Sequence, residues 1–208
     1  MKKLTIYLTV ILFSFSIISC NPKSKSSKQD DNKASTEQVN NQDQQTPSQD
    51  ENNVSDQQGN SNEYVNQELG FAIWFPEQPQ VSVDTVNDAG YKVPFHSFVY
   101  QGDDFIYMIA VGDYPSEALA EQDADTVLLN VMLGFANSQN MTVEKKEQHK
   151  VQGRPALIYR GYSGDTYLII DNVIDGNKVY QIIMAQQGEY PDQVAENDFI
   201  GSFRFLND

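Results

Sequence analysis

Thiol, imidazole and carboxylate build most reactive centres and metal sites, and this sequence deploys the first two sparingly. In 208 residues it has one cysteine, Cys20, and two histidines, His96 and His149. A lone thiol has no disulfide partner within the chain, so the sulfur's chemistry is committed at one position. The histidines lie far apart without metal-ligand spacing, which reads as two surface or locally satisfied strand imidazoles. Two carboxylate groupings stand out. Asp103-Asp104 marks a turn that could hold a cation with other loop carboxylates, although a solvated turn explains it better and is preferred. Asp171-x-x-x-Asp175-Gly176-Asn177 has the acid-rich look of a calcium loop. Val173, however, stands where a ligand belongs and Ile182 where the bidentate glutamate belongs, so a hairpin turn is the better reading. Gly161-Tyr162-Ser163-Gly164 approaches the letters of a nucleophile elbow but falls between two strands. No phosphate-binding glycine loop follows any strand. The expectation is no catalytic residue, no metal and no cofactor.

The residues ahead of the cysteine indicate what its thiol is for. Lys2 and Lys3 precede an uncharged apolar run from Leu4 to Ile18, the two opening regions of a secretory signal. That run falls short of the roughly 20 apolar residues of a membrane span. It closes on Ile17-Ile18-Ser19-Cys20, and this resembles the lipobox of bacterial lipoprotein precursors. The resemblance implies cleavage between Ser19 and Cys20 and a diacylglyceryl group on the Cys20 sulfur, a palmitate-type anchor in the lipid bilayer. At about 0.8 kcal/mol per buried methylene, two acyl chains hold where one would not. Asn21 follows rather than Asp, which by the same resemblance favours the outer membrane in a Gram-negative envelope; otherwise the anchor lies in the outer face of the plasma membrane.

From Asn21 to Glu63 the chain is Ser, Asn, Gln, Asp, Lys and Thr, with Val39 and Val54 almost its only aliphatic residues. Such a segment cannot bury enough apolar surface to offset its ordering entropy and is expected to be a disordered linker. Some forty flexible residues average roughly 35–40 Å end to end. Three parts follow: signal peptide 1–19, lipidated cysteine and linker 20–63, and a single globular domain 64–208. Charge constrains the domain's partners. From Tyr64 onward 8 basic residues face 21 acidic ones, a net of −13, and the chain from Cys20 carries −17. A surface of that sign repels nucleic acid and anionic lipid and favours a protein partner with a basic surface.

The domain's roughly 145 residues suffice for one core. Leu69–Phe75 reads as a strand ending at Pro76, and Val81–Val86 as a weaker one. Tyr91–Tyr100 turns at Gln101-Gly102-Asp103-Asp104 into Phe105–Val111, a hairpin. Pro115-Ser116-Glu117 opens a helix with Ser116 as its N-cap, continued by Ala124, Val127, Leu128, Val131 and Phe135 at helical spacing and ending near 137–140. Met141–Val151, charged at most positions, reads as an edge strand. Leu157–Tyr162, Thr166–Val173 and Val179–Ala185 form an antiparallel meander, and Tyr190-Pro191-Asp192 begins a second helix. Ser202–Leu206 is untyped. Both odd and even positions are apolar in 105–111, 167–170 and 179–184, so both faces of the sheet are expected to be covered. The expected fold class is α+β, most economically a three-layer α/β/α sandwich around a mainly antiparallel sheet with one helix on each face; the alternative, both helices on one side in a two-layer fold, would leave an apolar face needing a partner. Eleven Tyr, eleven Phe and one Trp chiefly fill that core. Those on an open edge or face would be available for binding.

The order Phe71-x-Ile73-x-Phe75-Pro76, aromatic hairpin, helix, polar strand, Gly153-Arg154-Pro155-Ala156, a meander containing Val179-Tyr180-Gln181-Ile182, and terminal Phe199-Ile200-x-Ser202-Phe203 resembles the PsbP-like superfamily. DcrB-like envelope lipoproteins belong to it. The resemblance implies the same sandwich and an assembly or binding role without a shared active site. A membrane-anchored, non-catalytic binding or assembly module is the resulting expectation. The alternatives are an envelope hydrolase, needing two carboxylates roughly 5–10 Å apart, and a metal-responsive sensor built on Asp103-Asp104 or Asp171-Asp175.

Overall fold

The structure, a computed structural model, describes residues 62–88 and 90–207. The signal peptide, Ser19, Cys20 and nearly all of the linker lie outside the described residues. Ten strands and three helices make up the rest. They run β1 (Glu63–Asn66), β2 (Phe71–Trp74), β3 (Gln80–Asp88), β4 (Tyr91–Gln101), β5 (Phe105–Asp113), α1 (Ser116–Leu119), α2 (Ala124–Ser138), β6 (Thr142–Val151), β7 (Arg154–Ser163), β8 (Thr166–Asp175), β9 (Lys178–Gln187), α3 (Gln193–Phe199) and β10 (Arg204–Phe205). A 3-10 turn, Ile200–Ser202, links α3 to β10.

Seven strands form one antiparallel sheet in the order β3-β4-β5-β9-β8-β7-β6, with β3 and β6 at its edges. The meander pairs as its turns require, Tyr162 opposite Tyr167 and Asp175 opposite Lys178. Its central strands are apolar at both parities because each face carries its own core. On one face α1 and α2 set Leu119, Val127, Leu128, Val131 and Phe135 against Tyr159, Ile170 and Ile183. On the other, Ile109, Ile169, Ile182 and Met184 meet Phe71 and Ile73 of β2, Phe75 just after it, Phe199 of α3 and Phe203. That second cover is only partly helical: β1, β2 and β10 form a three-stranded sheet of their own.

The helical region departs from the single helix expected. α1 is one turn, Pro115 precedes it, and no side chain caps it. The working cap is Asp123, whose carboxylate accepts the Thr126 N–H at 2.9 Å and opens α2. At the other end Asn140 takes φ +50, and the N–H of Met141 reaches the Ala136 carbonyl at 2.8 Å. This pattern is a left-handed stop, and it returns the chain sharply into β6. A bulge between Val143 and Lys145 then passes Gly161, where any Cβ would collide with the Thr142 carbonyl.

Candidate binding surface

Topology brings together residues whose sequence spacing showed no relation. His149 of β6 and Asp171 of β8 lie across β7, and His149 Nε2 meets Asp171 Oδ1 at 2.9 Å. Asp171 is buried within β8, far from any loop, and burial raises its carboxyl above the usual range. Hydrogen bonding to Asp171 raises the His149 imidazole in turn. Beside them Arg160 Nη2 donates to both oxygens of the buried Glu196 of α3, at 2.7 and 2.8 Å. Lys145, Glu147, His149, Ile158 and Arg160 line a cleft of about 240 Å³ above this group. Each buried acid has a basic side chain beside it, Arg160 for Glu196 and, when protonated, His149 for Asp171, so the arrangement is internal charge compensation. His149 is thus a satisfied strand histidine. His96 sits half-buried in β4 between Val83 and Val111. Asp175 closes β8 and accepts from Arg154 Nε at 2.8 Å. The elbow-like Ser163 ends β7 and donates to the Gln139 carbonyl at 2.6 Å. Among the described residues no three His, Cys, Asp or Glu side chains group to hold a metal ion.

The surface with the clearest binding character lies at the end of the sheet where β4–β5 and β7–β8 turn. Backbone bonds tie those turns together: the Gln187 N–H reaches the Asp104 carbonyl at 2.9 Å and the Gly188 N–H the Asp165 carbonyl at 2.8 Å. On the face that carries α3, this end holds a continuous aromatic group. Tyr107 stacks on Phe199, centroids 4.8 Å apart, and contacts Phe105, Tyr100 and Trp74 at 5.1, 6.4 and 6.4 Å. A second set follows across β7 and β8, with Tyr167 at 6.0 Å from Tyr162 and 5.0 Å from Tyr190. The Tyr190 hydroxyl donates to Glu144 at 2.6 Å, which fixes that ring. Trp74, Tyr100, Phe105, Tyr162, Tyr167 and Tyr190 all stay partly exposed.

Acid surrounds these rings. Asp103, Asp104, Asp165, Glu189, Asp192 and Asp198 are exposed, and the segments 100–107, 162–168 and 185–200 contain no lysine or arginine. The Tyr107 phenol is raised first by burial and then by the charges of Asp192 and Asp198. At the opposite end of the sheet the acids at the strand ends have partners, Asp175 with Arg154, Asp113 with Lys178 at 3.5 Å, and buried Asp88 with the Tyr114 hydroxyl at 2.9 Å, while Glu68 beside the β8–β9 turn is exposed. The sequence hinted at this surface only through its aromatic count and the Asp103-Asp104 turn. The convergence of β4, β5, β7 and β8 is a product of sheet order, and packing on that face adds β2 and the segment before α3.

No family model and no curated protein matches the chain. Among solved structures it is similar to the solution structure of cyanobacterial PsbP (CyanoP) from Synechocystis sp. PCC 6803, with 15% identity and a TM-score of 0.50 over 74% of this chain and 98% of that one. The domain therefore has a PsbP-like fold, mostly antiparallel sheet with few helices. At that identity the likeness carries the fold and nothing of activity.

Proposed function

We propose that this chain is a lipid-anchored protein of the bacterial cell envelope whose domain is a non-catalytic binding or assembly module, docking a basic protein partner on the aromatic, acid-rimmed end of its sheet. The observation that carries this reading is the charge distribution: six exposed carboxylates ring partly exposed aromatic side chains at one end, while at the other the strand-end acids Asp175, Asp113 and Asp88 each have a cation or a hydroxyl beside them and Glu68 is exposed without one among the described residues. Aromatic side chains supply contact area at low entropic cost, and an unmatched acidic rim steers a basic partner. The lipobox-like Ile17-Ile18-Ser19-Cys20 supports cleavage before Cys20 and anchoring through its thiol, and residues 21–63 supply the linker. We read the domain as a three-layer sandwich: α1 and α2, the large sheet, then α3 with the small sheet. The ion-paired His149–Asp171 and Arg160–Glu196 group belongs to its interior scaffolding rather than to a reaction.

Capture from detergent-solubilised envelope tests the reading, comparing the lipidated chain with its Cys20→Ala form. Retention of one basic protein by both forms, weakening as salt rises, is expected, because exposed charges more than about 8 Å apart are screened at physiological ionic strength. Turnover of envelope material that vanished on replacing one polar residue would refute the non-catalytic reading.

A further inference from the structure

The two edges of the large sheet are finished differently. β6 carries Glu144, Lys145, Lys146, Glu147 and Lys150 and a bulge between Val143 and Lys145, devices that keep an exposed edge from pairing. β3 lacks the bulge and the lysines, and its charges are exposed Asp84 and buried Asp88. It is nine residues long with no lysine or arginine, runs in unbroken register with β4, and exposes Val81 and Val83 by 55% and 57%. No described strand pairs with its outer side.

The direction of its free backbone groups follows from the neighbouring hairpin. The Gly102 N–H bonds the Phe105 carbonyl, so Tyr100, Phe98 and His96 turn their backbone groups toward β5. Val99, Ser97 and Phe95 turn theirs toward β3, where they meet Gln80, Ser82 and Asp84. The N–H and C=O groups of Val81, Val83 and Thr85 are left pointing outward.

We propose that this edge joins two copies of the chain, β3 against β3, antiparallel about Ser82, so that two seven-stranded sheets become one. In that register Val81 lies opposite Val83 of the second copy and Val83 opposite its Val81. Both pairs exchange backbone hydrogen bonds, and four valines close into one apolar patch. On the other face Gln80 meets Asp84, amide against carboxylate, and Ser82 meets Ser82. No acid faces an acid. Centring on Val83 instead would set the two Asp84 residues diagonal to each other, and centring on Asp84 would oppose them directly. Asp88, the strand's other acid, is buried against the Tyr114 hydroxyl. The pairing is isologous and closes at two copies, whereas β3 on β6 would propagate without end, and the charges and bulge of β6 oppose it.

Disulfide trapping in the full-length, detergent-solubilised chain tests this. Ser82→Cys puts two thiols at the symmetry axis on a non-hydrogen-bonded pair, with Cα atoms about 4.5 Å apart, inside the disulfide range of about 4.4–6.8 Å. Val194→Cys, 67% exposed on α3, measures random collision, and the unsubstituted chain measures cross-linking through Cys20. Ser82→Cys is expected to form a covalent dimer about tenfold faster than Val194→Cys, because pairing raises the effective thiol concentration. Adding Val83→Lys, a surface change that leaves the fold intact, should return it to the control rate. Trapping no faster than Val194→Cys overturns the proposal, as does a rate indifferent to Val83→Lys. Trapping onto a different protein would also overturn it and make the edge a site for a partner's strand.

Discussion

Burying Asp171 destabilises the fold unless a cation stays beside it, and His149 is that cation only while protonated. Bonding to Asp171 raises the His149 pKa above 6.5, so its stabilisation is complete below that value and is lost as pH rises through the higher folded value. Burial raises Asp171 as well, so its ionisation opposes the folded state once pH passes 3.8 toward its own folded value. Both shifts act in one direction. Denaturation midpoints should fall between pH 6 and pH 8, about His149's usual range near 6.5, and fall less in Asp171→Asn. His149→Ala, which leaves Asp171 without its partner, should cost about 1–2 kcal/mol, less than a fully buried pair because the ring is 32% exposed. A contrasting outcome is expected at Tyr159. Its hydroxyl is buried beside Asn172 without a well-formed hydrogen bond, so Tyr159→Phe should be neutral or stabilising by urea unfolding. A loss above about 1.5 kcal/mol there would contradict that account. None of this was legible in sequence, because His149 and Asp171 meet only through the order β6-β7-β8.

Secondary structure was readable where local pattern and tertiary demand agree. The β4–β5 hairpin, the β7–β8–β9 meander and the apolar stripe of α2 follow from alternation, turn residues and helical spacing. The start of α2 was misplaced because two segments carry cap chemistry: Pro115-Ser116-Glu117 looks like an opening, yet Asp123 closes on Thr126. Asp123→Ala should therefore cost about 1 kcal/mol and Ser116→Ala almost nothing, measured by thermal or urea unfolding. Equal losses would return the cap to Ser116. β1 and β10 were invisible for a different reason. They have four and two residues, and both pair with β2 from opposite ends of the domain, so no local signal marks them.

At the scale of the molecule, negative charge is distributed unevenly. Arg154 links the start of β7 to Asp175 and to the Asn207 carbonyl and lies 4.1 Å over the Phe205 ring, anchoring the chain's end to the matched side of the sheet. The aromatic end has no such counterion in its turns. The domain's acidity was readable from composition; its concentration around Trp74, Tyr100, Phe105 and Tyr107 was not, since those residues come from three strands. The most direct test neutralises that end without changing the total charge relative to a control. Asp103→Asn/Asp104→Asn/Asp198→Asn should bind the captured basic partner about tenfold more weakly, about 1.4 kcal/mol, than the full-length parent chain. Glu117→Gln/Glu121→Gln/Asp125→Asn, the same charge change around α1 and α2, should bind as the parent does. Equal weakening by both triple variants, or none by the first, would contradict docking at the aromatic end.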